Sequence, residues 1–414
     1  MKNTTLAEHF FRHEYAKLVA TLCRRVGAEY FDSVEDAVQR ALLAAMESWP
    51  VASIPDKPSA WLYTTALNTL IDEIRKQSGR EHILARQQET LLDQVALMPE
   101  VSFSEEFQDD MVKMLFVCCH EQVPRESQLV FALKAMCGFS IQEIAQRLFI
   151  SEANAYKRYG RARNYLKQHA LEFAELAAEK YPLRLPAVHR IIYLIFTEGY
   201  LSVNQAHSLR KEMCDEAIRL ALLLANSPHG QATETYSLIA LMYFHVARLD
   251  ARQDVSGGLI LLEDQDRSLW DKAKIYTGFE WLQKSAQGHS FSRYHAEAAI
   301  AAEHCLATSF ADTRWDRICD NYYLLEQTVC SPIHRLNRAV ALAQWQGAEA
   351  GLKILADFDA PTWLLNSFVW AAVLAYLYQV AGDIEQAEKY RISAFERAPT
   401  PATQQLLAQR LCGI

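Results

Sequence analysis

The sequence is poor in the residues that interrupt helices. Its 414 residues include only 14 glycines and 12 prolines, the two residue types that destabilise helix interiors and build tight turns. It also lacks segments in which polar and apolar residues alternate, as they do along a half-buried strand. Because half of the residues are hydrophobic, the chain has enough apolar material for the cores of two or three domains. We therefore predict an all-α protein.

No apolar run is long enough to span a membrane as a helix. The most apolar stretches, residues 193–202 and 363–380, are best interpreted as buried helices. Charged residues interrupt the first 18 positions, which is not the pattern of a secretory signal peptide. We expect a cytoplasmic protein without membrane contacts.

The nine cysteines are scattered, and no two have the CxxC spacing of zinc or redox sites. Cys118 and Cys119 are followed by His120, but no second Cys/His pair lies at zinc-ligand spacing. Buried, reduced thiols are the default in that case. We expect neither a metal nor another cofactor.

An overall excess of positive charge is also missing, since the net charge is −8. Residues 139–167 depart from this background, because they predict a helix, a tight turn capped by Ser151 and a second, basic helix. The cations of that second helix are Lys157, Arg158, Arg161, Arg163 and Lys167. A basic helix supported by a packed first helix suits the DNA major groove. The alternative is an amphipathic surface helix with a solvated cationic face.

Two further amphipathic helices are predicted near the N-terminus. Residues 31–49 place Val34 and Val38 on one side, and a proline-containing loop at 50–60 follows. The next helix carries Asn68, Asp72 and Arg75 at spacings of three to four residues, so these polar side chains share a face.

The order of these motifs resembles that of the extracytoplasmic-function sigma factors of bacterial RNA polymerase. The motifs are EDAVQ at 35–39, AWLYTTALN at 60–68 and FSIQEIAQRLFISE at 139–152, and the resemblance spans about residues 10–170. It implies a sigma domain 2 at 1–90, an acidic linker at 91–110 and a sigma domain 4 at 111–172. The linker is either the segment that threads toward the RNA exit channel or an ordinary connection.

The resemblance also implies residue roles and partners, namely core RNA polymerase and promoter DNA. Residues that match the surface docking on the β′ clamp helices are Glu35, Asp36, Gln39 and Leu42, while domain 4 would contact the β flap. Residues assigned to the −10 element are Asn68, Trp61, Asp72 and Arg75, with Asn68 in the pocket for a flipped base. Residues assigned to the −35 element are Ser151, Asn154, Lys157, Arg158, Arg161, Arg163 and Lys167. Two alternatives stay open: Trp61 packs in the core rather than stacking on melted DNA, and Asn68 is a plain surface residue.

Residues 173–414 predict a large helical domain beyond the two sigma domains. Val369–Thr400 follows the spacing of a tetratricopeptide repeat, and Ser331–Phe358 is a weaker match, so we predict a degenerate TPR-like array with a possible peptide or protein partner. Its candidate site residues are Glu198, Glu263, Asp264, Asp266 and Arg267. These carboxylates suggest metal binding or acid–base chemistry, or else a polar loop whose charges satisfy helix ends and arginines. The extension resembles that of a subgroup in which it regulates or supports transcription.

Three functions follow from these patterns. The first is an alternative sigma factor with a regulatory extension and no chemistry of its own. The second is a DNA-binding regulator that acts without polymerase and senses a ligand or peptide, but the EDAVQ docking helix would be redundant in it. The third is an enzyme, which the sequence supports with no nucleophile–base pair, phosphate loop or metal-ligand set.

Overall fold

The computed structural model describes residues 2–49, 54–78, 103–148, 150–169, 176–200, 211–253, 260–288, 290–329, 331–399 and 401–412. Within these ranges every regular element is helical and no strand occurs, which confirms the predicted all-α class. The first eight α-helices are α1 Lys2–Val26, α2 Phe31–Ser48, α3 Pro58–Ser78, α4 Phe103–Cys118, α5 Arg125–Phe131, α6 Ile141–Arg147, α7 Glu152–Gln168 and α8 Lys180–Tyr200. The next six are α9 Lys211–Asn226, α10 Thr233–Val246, α11 Lys272–Ser285, α12 Arg293–Leu306, α13 Trp315–Thr328 and α14 Pro332–Gln346. The last five are α15 Ala348–Ala356, α16 Thr362–Leu365, α17 Phe368–Ala381, α18 Ile384–Glu396 and α19 Pro401–Cys412.

The chain forms two compact units. The first contains Met1–Glu198 and Leu223–Gly230, and the second contains Gly199–Leu222 and Gln231–Ile414. The first unit thus extends beyond the boundary at 172 that the sequence predicted. The reason is the start of α8, where buried Tyr181 packs edge-on against Phe116 of α4 with 4.9 Å between ring centres.

The core of the first unit joins the two predicted sigma domains. Helix α1 buries Leu18 and Leu22 completely, and it packs against both α2 and α4. Phe31 at the start of α2 lies 5.7 Å from the ring of Phe131 in α5, and neither ring is exposed. Burying a phenylalanine side chain contributes about 1.5–3 kcal/mol, so contacts of this kind hold residues of both predicted domains in one core.

The C-terminal end of the predicted linker at 91–110 lies in a helix. Residues 79–102 lie outside the described part of the chain, but α4 begins at Phe103. Asp110, the last residue of the predicted acidic linker, is 1% exposed and forms an ion pair with Arg24 of α1. Burial raises the pKa of Asp110, while the charge of Arg24 opposes this shift. The acid therefore ties α4 to α1, a role that its local sequence does not reveal.

The helix–turn–helix forms where the sequence predicted it. Gly138 adopts a φ of +70° before α6, and a Cβ there would lie 2.8 Å from the backbone oxygen of Arg12. Ser140 and Glu143 form a capping box at the start of α6, and Ser151 caps α7 by accepting a 3.2 Å hydrogen bond from the Asn154 amide. These caps satisfy amide groups that a helix N-terminus leaves without partners.

The second unit contains pairs of helices that pack closely on one another. In the pair α14–α15, a Cβ on Gly351 would lie 2.4 Å from the carbonyl oxygen of Ala339, so only glycine permits this approach. In the pair α17–α18, the rings of Tyr378 and Tyr390 stack with 5.7 Å between their centres. Gly382 ends α17 in the left-handed conformation. Both pairs lie in the segments predicted as TPR-like.

Candidate promoter and polymerase interface

The predicted −35 residues on α7 differ in how exposed they are. Its buried side chains are Ala155, Tyr159, Ala162 and Leu166, which hold the helix on the first unit. On the other side Ser151, Lys157 and Arg161 are exposed, while Asn154 and Arg158 are half-buried. Within the described part of the chain, no ion pair joins Lys157, Arg158 or Arg161 to an acid. These three cations form an accessible basic surface, which we call the basic face.

The other two predicted DNA contacts are not accessible in the same way. Arg163 lies 3.0 Å from Asp32 of α2, and Lys167 lies 2.8 Å from the same carboxylate. All three side chains are between 34% and 45% exposed, so the pairs lie at the edge of the packed surface. The structure thus joins two cations of the recognition helix to the predicted docking helix.

Glu35 of α2 is buried, although the sequence placed it on the polymerase-docking surface. Its carboxylate accepts a hydrogen bond from the Tyr15 hydroxyl and lies 3.6 Å from the Lys134 ammonium. Burial and then the negative charge of Glu35 raise the pKa of Tyr15 well above its ordinary value, and the pKa of Tyr159 is raised for the same two reasons. In this conformation Glu35 therefore serves an internal polar network that includes residues of both sigma-like domains.

Further contacts connect the N-terminal helices to the helix–turn–helix. Arg12 of α1 forms a 2.6 Å ion pair with Glu143 of α6, and its guanidinium lies 5.0 Å from the ring centre of Phe139. Phe131 of α5 lies 5.7 Å from the ring of Phe31 in α2, and it also stacks on Tyr159 of α7 with 5.6 Å between ring centres. We refer to these contacts, together with the Asp32 pairs and the Glu35 network, as the interdomain latch.

The exposed face of α2 contains two of the predicted docking residues and two apolar residues that were not predicted. Asp36 and Gln39 are exposed as expected, whereas Leu42 is half-buried. Leu43 and Met46, which the sequence reading missed, are each 57% exposed. Positions 36, 39, 43 and 46 are spaced three to four residues apart, so they share one side of the helix. The helical spacing that starts at Asp36 is therefore the sequence signal for Leu43 and Met46.

Helix α3 presents a polar stripe with the predicted −10 residues. Asn68 and Asp72 are exposed one turn apart, and Thr64 precedes them at the same spacing. The side chain of Arg75 and loop residues 50–53 lie outside the described residues. Trp61 is half-buried and packs edge-on against Trp49 at 5.6 Å. This contact agrees with the packing alternative for Trp61.

Glu198 belongs to the first unit, whereas the other candidate regulatory residues belong to the second. There Glu263 forms an ion pair with Arg410, and Asp266 caps a short helical turn through the Ser268 amide at 2.8 Å. Asp264 is exposed.

Arg267, the one cation among these candidates, is bound to a helix end. It donates to the carbonyl oxygens of His304 and Ala307 at 2.7 and 2.8 Å, where α12 ends. These contacts match the alternative of a polar loop that satisfies helix ends. Throughout the described residues, no group of three or more His, Cys, Asp or Glu side chains is placed to hold a metal ion. No described helix is long and apolar enough to cross a membrane.

Comparison with known proteins identifies the two N-terminal blocks. Residues 11–80 match sigma-70 region 2, and residues 113–166 match sigma-70 region 4. A protein described as "Uncharacterized protein R00370", from Rhizobium meliloti (strain 1021), is 34% identical over 393 residues, covering 93% of this chain and 91% of its own length. The chain belongs to the sigma-70 family. The matches confirm the family resemblance that the motifs indicated.

This sigma-70 protein carries region 2, region 4 and a C-terminal extension, the combination of an extracytoplasmic-function-type sigma factor. Residues 184–286 of the extension match a family of unknown function, DUF6596. Searches of solved structures give no match. As a sigma factor it binds RNA polymerase and DNA, and the sigma families to which its two regions belong are not enzymes.

Proposed function

We propose that the protein is an alternative sigma factor that binds core RNA polymerase in the cytoplasm, recognises −35 and −10 promoter elements and initiates transcription. The second unit regulates or supports this activity, and its TPR-like helix pairs accommodate a peptide or protein partner. The observation that carries the proposal is the presence, in one chain, of an accessible basic face on α7 and an exposed docking face on α2 within the matched sigma regions.

The basic face supports the −35 assignment. Arg161 is exposed in the middle of α7, one turn from Lys157 and three residues from Arg158. An arginine fork matches the acceptors of a guanine edge or a phosphate, whereas lysine mainly neutralises phosphates and sets the salt dependence of binding. We therefore assign base-edge or adjacent phosphate contact to Arg161 and phosphate contact to Lys157.

The stripe on α3 supports the −10 assignment. Asn68 is exposed and its amide both donates and accepts hydrogen bonds, as recognition of an extruded base requires. Asp72 lies one turn further on the same side. Both side chains are therefore accessible to a melted strand that crosses α3.

The exposed face of α2 supports docking on the β′ clamp helices. Asp36 and Gln39 provide polar contacts, and Leu43 and Met46 provide exposed apolar surface that a partner would bury. Glu35 contributes only if the interdomain latch opens. We therefore propose that Leu43 and Met46 contribute more to this docking than Glu35 and Leu42.

The test compares variants in core-polymerase binding and promoter-directed transcription. Leu43→Asp places a charge on the docking face and should weaken core binding, while Arg161→Ala should reduce transcription and leave core binding intact. Lys272→Ala is the matched control for losing a cation, because Lys272 is exposed in the second unit. Equal losses of transcription in Arg161→Ala and Lys272→Ala would contradict the −35 assignment. Unchanged core binding by Leu43→Asp would contradict the docking assignment.

A further inference from the structure

Three arginines of the second unit lie against two aromatic rings, those of Trp270 and Tyr200. The guanidinium carbons of Arg248 and Arg267 lie 5.6 and 4.5 Å from the ring centre of Trp270, and Arg252 lies 3.8 Å from the ring centre of Tyr200. Arg248 and Trp270 are only 6% and 4% exposed. We call Arg248, Arg252, Arg267 and Trp270 the arginine cluster. It belongs to neither the basic face nor the interdomain latch.

The hydrogen-bond partners of these arginines carry no negative charge. Arg248 donates to the Tyr200 hydroxyl at 3.0 Å, and Arg252 donates to the Tyr200 carbonyl oxygen at 2.8 Å. Arg267 donates only to the two carbonyl oxygens at the end of α12. Within the described part of the chain, no carboxylate forms an ion pair with any of the three. Burying several cations without an anion is unfavourable.

Several donors of the cluster are buried and have no hydrogen-bond partner among the described residues. They are Arg248 Nε, Arg267 Nη2 and Trp270 Nε1. Nδ1 of the nearby His304 is also buried without a hydrogen-bond partner among the described residues. The two arginine atoms and the indole nitrogen can only donate. Buried polar atoms of native proteins are rarely left without partners, and an acceptor from outside the described residues would satisfy this set.

The arginine charges act on two neighbouring histidines. The pKa of His304 is lowered to about 3 by burial and then by the charges of Arg248 and Arg267. His245, whose Nδ1 lies 3.0 Å from Arg248, has its pKa lowered by burial and then by Arg248 and Arg252. Both imidazoles are therefore neutral at pH 7. A water molecule would satisfy one or two donors, but it would not compensate the three positive charges.

We propose that the arginine cluster binds a small phosphate-type oxyanion, either free phosphate or the phosphate group of a small monoester. Such an anion accepts from several donors at once and matches the planar guanidinium fork. The C-terminal extension would then bind a small anion at this site, and this binding does not depend on the proposed role of the extension in transcription.

The experiment is a titration of full-length protein with inorganic phosphate, with sodium chloride adjusted to hold the ionic strength constant. Calorimetry gives the Kd, and thermal unfolding gives the shift in Tm. We expect saturable binding and a saturable rise in Tm. Arg248→Gln should weaken binding about tenfold or more, because it removes charge-assisted hydrogen bonds. Trp270→Phe keeps the ring but removes one donor, and it should weaken binding by a smaller factor.

Arg391→Gln is the matched control, because Arg391 forms an ion pair with Glu388 on α18 of the same unit. This variant should bind phosphate as the unmodified protein does. Circular dichroism of each variant separates lost binding from lost folding, and Trp270→Phe provides a second test if Arg248→Gln is unfolded.

Absence of calorimetric binding would overturn the proposal. An equal and non-saturating rise in Tm for all variants would also overturn it, because phosphate salts stabilise proteins generally without binding to a site. Glycerol 1-phosphate in a parallel titration distinguishes the sources of the anion. Tighter binding than inorganic phosphate assigns the site to a monoester, and weaker binding assigns it to free phosphate.

Discussion

Replacing Asp32 by asparagine should release part of the recognition helix from the docking helix. Asp32 is the shared partner of Arg163 at 3.0 Å and Lys167 at 2.8 Å. Asparagine keeps the shape of the side chain but removes its charge. Both cations then become available to DNA phosphates, and the interdomain latch loses its two ion pairs at this edge.

The expected magnitude is modest because these pairs are partly solvated. Asp32 is 45% exposed, and its partners are 34% and 35% exposed. Pairs of this kind contribute about 0.2–1 kcal/mol each, so their joint loss is at most about 2 kcal/mol. If closure competes with DNA binding, affinity rises by roughly 2- to 30-fold, since 1.4 kcal/mol corresponds to a factor of ten.

The assay is fluorescence anisotropy with full-length protein and a duplex carrying the −35 region, without polymerase. Glu47→Gln is the control, because Glu47 is exposed on the same helix and its replacement removes the same charge. Asp32→Asn should bind DNA more tightly than Glu47→Gln, and the difference should shrink in high salt. Equal affinities for the two variants would refute the latch as a mask on the recognition helix.

Three further predictions concern docking, packing and pH. Leu43→Asp should change the free energy of unfolding by no more than about 0.5 kcal/mol, because the side chain is 57% exposed, while core-polymerase binding is weakened. A larger destabilisation in a urea titration would contradict this prediction. Gly351→Ala should destabilise by about 1–3 kcal/mol through overpacking against Ala339, whereas Gly160→Ala, in an open helix position, should stabilise by about 0.5–1 kcal/mol. Folding lowers the pKa of His304 from 6.5 to about 3, through burial first and the charges of two arginines second. Protonation of this histidine therefore favours the unfolded state, so the free energy of unfolding is highest above pH 6.5 and falls as the pH drops toward 3. Urea unfolding at pH 7 and pH 5 should show a loss of roughly 2 kcal/mol from this group, and equal stability at the two pH values would contradict the shift.

Local patterns in the sequence predicted the helices and their ends well. Ser151 was identified as a helix cap because serine before an apolar-periodic helix has a specific hydrogen-bonding role, and the structure confirms it. The all-α class followed from scarce glycine and proline, and the family followed from three motifs in a fixed order. The cap signal and each single motif act over fewer than about 20 residues of chain, the length of one helix.

Long-range contacts explain what the sequence reading missed. Asp32 and Lys167 are 135 positions apart, so nothing local indicates that they pair. Glu35 and Asp36 are adjacent acids with similar local patterns, yet one is buried and the other exposed. The distinction comes from the contacts of Glu35 with Tyr15 of α1 and with Lys134, which lie far from it in the sequence. The burial of Asp110 at the end of the predicted acidic linker is another long-range effect, since its partner Arg24 lies on α1.

The orphaned donors of the arginine cluster illustrate the same limit in the second unit. In the sequence Arg267 lies in an acidic loop, whose carboxylates suggest metal binding or acid–base chemistry. The structure instead places Arg267 against Trp270, with Arg248 nearby. These residues come from separate turns of the chain, so only the fold brings the positive charges together.

The most direct test of sigma function is run-off transcription from DNA upstream of the protein's own operon, with core polymerase and full-length protein. Our account predicts a defined transcript that requires the protein and that is reduced by both Leu43→Asp and Arg161→Ala. It also predicts that Asp32→Asn initiates at least as efficiently as the unmodified protein. Absence of any transcript, together with absence of binding to core polymerase, would contradict the account and favour a regulator that acts without polymerase.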